Sequence, residues 1–181
     1  MQEEKDKIVR LLINHGADVT AQDKTHSTPL HMASGKVNTK IVQLLIEHGA
    51  DVTVKNETYS TPLHMASSWV STTPASSLLH RSANMNAQED STLYDYGVHM
   101  IEWTILKTDT VRLLIKHGAD VSAQDEVQST PLHLASACAS TETVHLLIDH
   151  GANVTARDGY HRTPLHLASS CVSNTTMSLL I

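Results

Sequence analysis

Thirteen histidines and two cysteines are the side chains in this 181-residue chain best suited to hold a metal ion or to act as base and nucleophile. Their spacing argues against both uses. His31, His64, His133 and His166 each close a Thr-Pro-Leu-His phrase, and His15, His48, His117 and His150 each precede a glycine. Sets that recur in successive packed elements lie at roughly 10 Å intervals, whereas zinc ligands sit about 2 Å from one ion. One ion cannot bridge such a row, no H-E-x-x-H phrase is present, and no metal ligand is assigned. Were the row to take up zinc, titration would raise the melting temperature. Cys138 and Cys171 are spaced as His133 and His166 are, and so occupy equivalent positions. A disulfide needs Cα atoms within about 7 Å, so both are expected to be thiols in a reducing compartment. A catalytic thiol needs a neighbouring base, and the nearest histidines in sequence, His133 and His166, stand at helix starts. G-x-S-x-G, a Walker-type loop and a dinucleotide fingerprint are all absent, so no catalytic residue, cofactor or small-molecule substrate is expected. The N-x-T phrases at Asn56, Asn153 and Asn174 would accept glycans only in a secreted protein.

Composition bounds the class. Hydrophobic residues make up 40% and charged residues 18%, an ordinary balance for one globular domain. Aromatics supply 3%, with no Phe, so packing must come from Leu, Ile, Val, Ala and Met. A net charge of -6 opposes a nucleic-acid surface, which needs clustered Lys and Arg. No apolar run approaches the ~20 residues that cross a bilayer, and residues 1–7 are acidic and polar, unlike a secretory signal. The expectation is an intracellular, cytoplasmic chain, with the nucleus not excluded, that meets neither membrane nor nucleic acid.

The positioning elements follow from internal repetition. Thr28-Pro29-Leu30-His31-Met32-Ala33-Ser34 recurs from Thr61, Thr130 and Thr163, with Leu for Met in the last two, at spacings of 33, 69 and 33. A second phrase beginning Gly16-Ala17-Asp18-Val19 returns at Gly49, Gly118 and Gly151 with the same spacings. The long spacing is two periods plus three residues, which predicts a hidden, eroded unit after Ser67. Leu78 to Asn84 lies one period after Leu45 to Asp51, and Val98-His99-Met100 stands in for Leu-His-Met. The chain resembles the ankyrin repeat family, whose unit has this length and carries TPLH, an LL-containing second helix and a GADV turn. The resemblance implies an all-α solenoid of stacked helix-turn-helix units with hairpin-like loops projecting to one side. It also implies that the TPLH histidines hydrogen-bond within and between units. The expected organisation is one domain over 1–181. It holds a partial repeat (1–27), repeats at 28–60, 61–94 (irregular second helix), 95–129 (degenerate) and 130–162, and a truncated repeat at 163–181.

The residues support the same outline independently. Thr28 and its equivalents can cap a helix whose first position is Pro29, where a missing N–H costs nothing. Leu30, Met32 and Ala33 are the apolar members of that helix, and Ala33, Ala66, Ala135 and Ala168 allow close helix approach. A second helix over 41–46 has i, i+3, i+4 apolar spacing, and Gly49 ends it in the left-handed region. Neither face of such a pair can be buried alone, so units must pack on one another. Neither terminus carries a polar cap, which suggests a longer array or ends covered by another chain.

Three departures from the family pattern stand out. Val37, Val70, Ala139 and Val172 replace the usual interhelix glycine and disfavour a left-handed turn there. His26, Tyr59, Gln128 and His161 replace the hairpin-tip glycine and enlarge the presented surface. Pro74 and Ser82 make residues 70–108 the expected weak link.

Surface remains as the functional element. The resemblance places the fifth residue after each TPLH histidine on the concave face, giving Lys36, Trp69, Cys138 and Cys171, with Thr104 near the eroded unit. Trp69 is either a binding anchor or a space-filler beside a shortened helix. The tips add Lys24, Thr25, His26, Glu57, Tyr59, Glu126, Gln128, Gly159, Tyr160, His161 and Arg162. Tyr94, Tyr96 and Trp103 form either a local cluster or a protruding contact. The expected function is a non-catalytic protein–protein interaction scaffold whose partner is another protein. The alternative is the recognition or regulatory portion of a larger enzyme or signalling protein.

Overall fold

The computed structural model describes residues 2–68, 107–138 and 140–170. Among them are eight helices and no strand: α1 (Gln2–Asn14), α2 (Pro29–Gly35), α3 (Thr39–Glu47), α4 (Pro62–Ser67), α5 (107–116), α6 (Pro131–Ala137), α7 (Thr141–Asp149) and α8 (Pro164–Ser170). The expected helical solenoid is therefore present. Val70, Pro74, Ser82, Tyr94, Tyr96, Trp103, Thr104, Ala139 and Val172 lie outside the described residues, as do Trp69 and Cys171.

Each short helix starts as its sequence dictates. Thr28, Thr61 and Thr130 are extended N-caps with proline in the first turn, a position that needs no backbone donor. Histidine three residues later plays the part that Glu or Gln plays in a capping box. Its Nδ1 accepts from the cap residue's own N–H, at 3.1 Å in His31 and 3.2 Å in His64 and His133. The longer helices end in glycine at φ near +90°, as at Gly49 (+92°), where a side chain would be strained.

Burial repeats with the unit. Leu30, Leu63 and Leu132 from the short helices meet Val42, Leu45, Val111, Leu114 and Leu147 from the long ones in one continuous cluster. Ala33, Ala66 and Ala135 are buried at the close approaches, whereas Ala168 is exposed. Met32 departs from its expected place in the core and is 50% exposed. Leu30 and Ala33 share one helical face, and residue 32 falls on another.

In space α2 packs on α4, α4 on α6 and α6 on α8. The long helices follow the same order through side-chain bonds: Thr39 to Thr110 at 2.8 Å and Thr108 to Thr143 at 3.5 Å. Helix α5, assigned from sequence to a degenerate unit of its own, thus stands between α3 and α7.

The left-handed positions differ from expectation in one respect. Val37 adopts φ +55° although β-branched, and it is buried. Burial of its side chain offsets strain on the order of 1 kcal/mol. His26, Tyr59, Gln128 and His161 likewise take φ of 58° to 60°. The turn geometry survives the loss of glycine.

Candidate partner-binding surface

Every tip is a polar turn braced from below. Asp23 accepts from the N–H groups of Thr25 and Ser27, Asn56 from Thr58 and Ser60, Asp125 from Val127 and Ser129, and Asp158 from Tyr160 and Arg162. An Asx side chain can satisfy two donors at once and so holds a turn that water would otherwise loosen. The hydroxyl and N–H donors of Thr25 and Ser27 hold the exposed Asp23 carboxyl below its usual range. Asp158 is buried, which pushes its pKa up, but the N–H groups of Arg162 and Tyr160 and the Arg162 guanidinium, 2.8 Å away, outweigh that effect and the net shift is downward.

Adjacent tips are then joined edge to edge by backbone bonds. Glu57 N–H donates to Thr25 C=O at 2.9 Å, Glu126 N–H to Thr58 C=O at 2.9 Å, and Gly159 N–H to Val127 C=O at 2.8 Å. The last approach is close enough that a Cβ on Gly159 would meet the Val127 carbonyl oxygen at 3.1 Å. Behind the tips, His31 Nε2–H donates to Ser60 C=O, His64 to Ser129 C=O and His133 to Arg162 C=O, each at 3.1 Å. Since Nδ1 accepts at the cap, these rings are the neutral Nε2–H tautomer. The implied bonding within and between units is present for all three. His166 keeps only its cap contact with Thr163 among the described bonds.

The second histidine set does different work. Nδ1 of His15, His48 and His150 lies 2.8 Å from the carbonyl four residues earlier. In this position Nδ1–H must donate, so each ring adds a side-chain donor to a carbonyl in the last turn of its helix. Among the described residues no three of His, Cys, Asp and Glu gather in a way that could hold a metal ion.

Of the surface residues expected from sequence, Lys24, Thr25, His26, Glu57, Tyr59, Glu126, Gln128, Tyr160, His161 and Arg162 are all exposed on this one tip edge. Tyr59 is 58% and Tyr160 67% exposed, with Lys55 Nζ 5.9 Å from the first ring centroid and the Arg162 guanidinium 4.7 Å from the second. Such a cation fixes one face of each ring and leaves the other for a partner. Val127, 42% exposed, shares the edge and was missed from sequence. Its alignment with Thr25, Thr58 and Tyr160 was the available signal.

The two described members of the expected concave row lie away from the tips. Lys36 is exposed at the far end of α2, and Cys138 is half-buried at the far end of α6. Burial lowers the pKa of Lys107 near Cys138, whose charge acts in the opposite direction. Both ring nitrogens of His133 are engaged, so it does not serve that thiol as a base.

A family model for ankyrin repeats (3 copies) matches residues 1–89 and 103–181. The chain belongs to the ankyrin repeat family. Ankyrin repeats are in general protein–protein interaction modules and not catalysts. No curated protein matches this ankyrin chain. No helix among its described residues is long and apolar enough to cross a membrane.

Proposed function

We propose that this ankyrin domain is a non-catalytic scaffold that binds another protein through its tip edge and the adjoining helix ends. The observation that carries the reading is the chain of three tip-to-tip backbone bonds, which holds exposed Tyr59, Val127 and Tyr160 on a preordered frame. Association then has little backbone ordering to overcome. Aromatic side chains on rigid backbone are the usual anchors of protein interfaces. Lys24, Glu57, Glu126 and Arg162 surround them with both signs of charge, which suits selection of a complementary protein surface over a uniformly charged polymer. No substrate, cofactor or metal enters this reading, and a cytoplasmic setting suits its thiols.

The test compares the parent with Tyr59→Ala/Tyr160→Ala in parallel affinity captures, with far-UV circular dichroism as the folding control. A partner held by the parent and lost by the double variant, with unchanged helicity, is the expected result. Equal capture by both proteins removes the tip edge from the interface.

Exposed Ile8, Leu11 and Leu12 on α1 favour a second reading, in which the module is the recognition portion of a larger enzyme or signalling protein and further chain covers that face. Masking of these side chains from solvent in the natural full-length protein, measured by oxidative footprinting, supports it. Full reactivity there defeats it.

A further inference from the structure

Three kinds of spacing, two between units and one within them, share one anomaly. The TPLH imidazole reaches a carbonyl 29 residues ahead from His31 and from His133, but 65 ahead from His64. The tip N–H reaches back one sequence interval from Glu57 to Thr25 and the same interval from Gly159 to Val127, but more than twice as far from Glu126 to Thr58. Lys36 to Asn38 connect α2 to α3 and residues 138–140 connect α6 to α7, whereas residues 68–106 connect α4 to α5. The other connectors, 48–61 between α3 and α4, 117–130 between α5 and α6, and 150–163 between α7 and α8, are equal in length. Each of the three discrepancies has the same size, and all of it falls between Ser67 and residue 107.

We infer that α4 and α5 are the two helices of one repeat, formed by residues 61–68 and 107–129, and that the interval between them is an insertion in its interhelix connector. The boundaries 61–94 and 95–129 then merge. A unit standing between those beginning at Thr61 and Thr130 would separate their tips by two stacking steps, roughly 20 Å, and the bond from Glu126 to Thr58 is 2.9 Å. The family match is interrupted at 90–102, inside the same interval, and covers 69–89 and 103–106 on either side.

The placement has a consequence for the surface. Each short helix begins beside its tip and carries the chain about 10 Å away before the connector starts, so both ends of the insertion lie at the end of the helices remote from the tips. Four consecutive tips therefore form one unbroken edge, and added sequence has been accommodated without opening it. This inference concerns connectivity and does not depend on the binding reading.

Disulfide trapping in the full-length chain, in a Cys138→Ser/Cys171→Ser background, tests it. The pair Thr58→Cys/Glu126→Cys is oxidised beside a neighbour control, Thr25→Cys/Glu57→Cys, and a distant control, Thr25→Cys/Glu126→Cys. The expected result is crosslinking of the 58/126 pair to the extent of the neighbour control, since both lie within the ~7 Å Cα limit. Crosslinking no greater than in the distant control overturns the inference. Deletion of residues 70–105 is the second measurement. It leaves a connector as short as that between α2 and α3, and a cooperative melt within a few degrees of the parent is expected. A stack holding a further unit would lose more than one period and be thrown out of register, and loss of the cooperative transition would sink the proposal. Neither readout involves a partner, so the binding reading stands or falls separately.

Discussion

His64 shows how much one residue type carries in this fold. Its Nδ1 faces a backbone N–H and its Nε2 a carbonyl of the next unit, so a second proton would set donor against donor. Burial holds the pKa values of His31 and His64 below the usual 6.5, outweighing the carbonyls and nearby Asp23 and Asp125, which act in the opposite direction. The unfolded chain binds these protons below about pH 6.5 and the folded chain does not. Stability is therefore full above that pH and falls as the medium is acidified toward the folded-state values. The urea midpoint at pH 5 should lie below that at pH 7.5, with a limit of about 1.4 kcal/mol per pH unit for each histidine. His31→Asn/His64→Asn should flatten the dependence; a flat profile in the parent would contradict the assignment. Leu45, almost wholly buried, tests the core at the same scale. Leu45→Ala should cost roughly 2 to 5 kcal/mol through the cavity it leaves, read as a fall in urea midpoint.

Among the elements, the starts and stops of the helices were legible in the sequence because each depends on neighbours within four residues. Thr28 before Pro29, with His31 three residues after the cap, specifies the entry to α2, and Gly49 specifies the exit from α3. The left-handed turn at Val37 was not legible, because a β-branched residue is poor there by local preference and burial of its side chain holds it. At the tips, His26, Tyr59, Gln128 and His161 each donate N–H to the carbonyl three residues earlier, which closes the turn at positive φ. Exposed Gln128 offers a direct check. Gln128→Gly relieves the strain with little contact to lose and should raise stability by about 0.5 to 1 kcal/mol, seen as a higher melting temperature. Gly49→Ala introduces the opposite effect at φ +92° and should lower it by about 1 kcal/mol.

Across the whole molecule, stability is distributed along a row in which each unit depends on its neighbours. α3 packs on α2 and on α1, whereas Ile8, Leu11 and Leu12 of α1 remain exposed. Native-state hydrogen exchange should therefore protect the amides of Leu44 and Leu45 more strongly than those of Leu11 and Leu12. Equal protection would mean that α1 is buttressed by contacts beyond this row. The tip edge was largely legible in the same periodic way, since residues at one position in each unit share one side of a stack. Val127 escaped because its side chain resembles the core more than a turn.

The sequence by itself determined the period, the helix caps and most of the apolar positions, because each is local chemistry restated once per repeat. Which units touch was another matter. The interval from Thr61 to Thr130 is a little over two periods and also one period with an insertion of similar length, and counting along the chain cannot separate them. The tertiary structure decided that α4 packs on α6 and that Glu126 bonds to Thr58. A hydrogen bond reports distance through space, to which chain length between the partners is no guide.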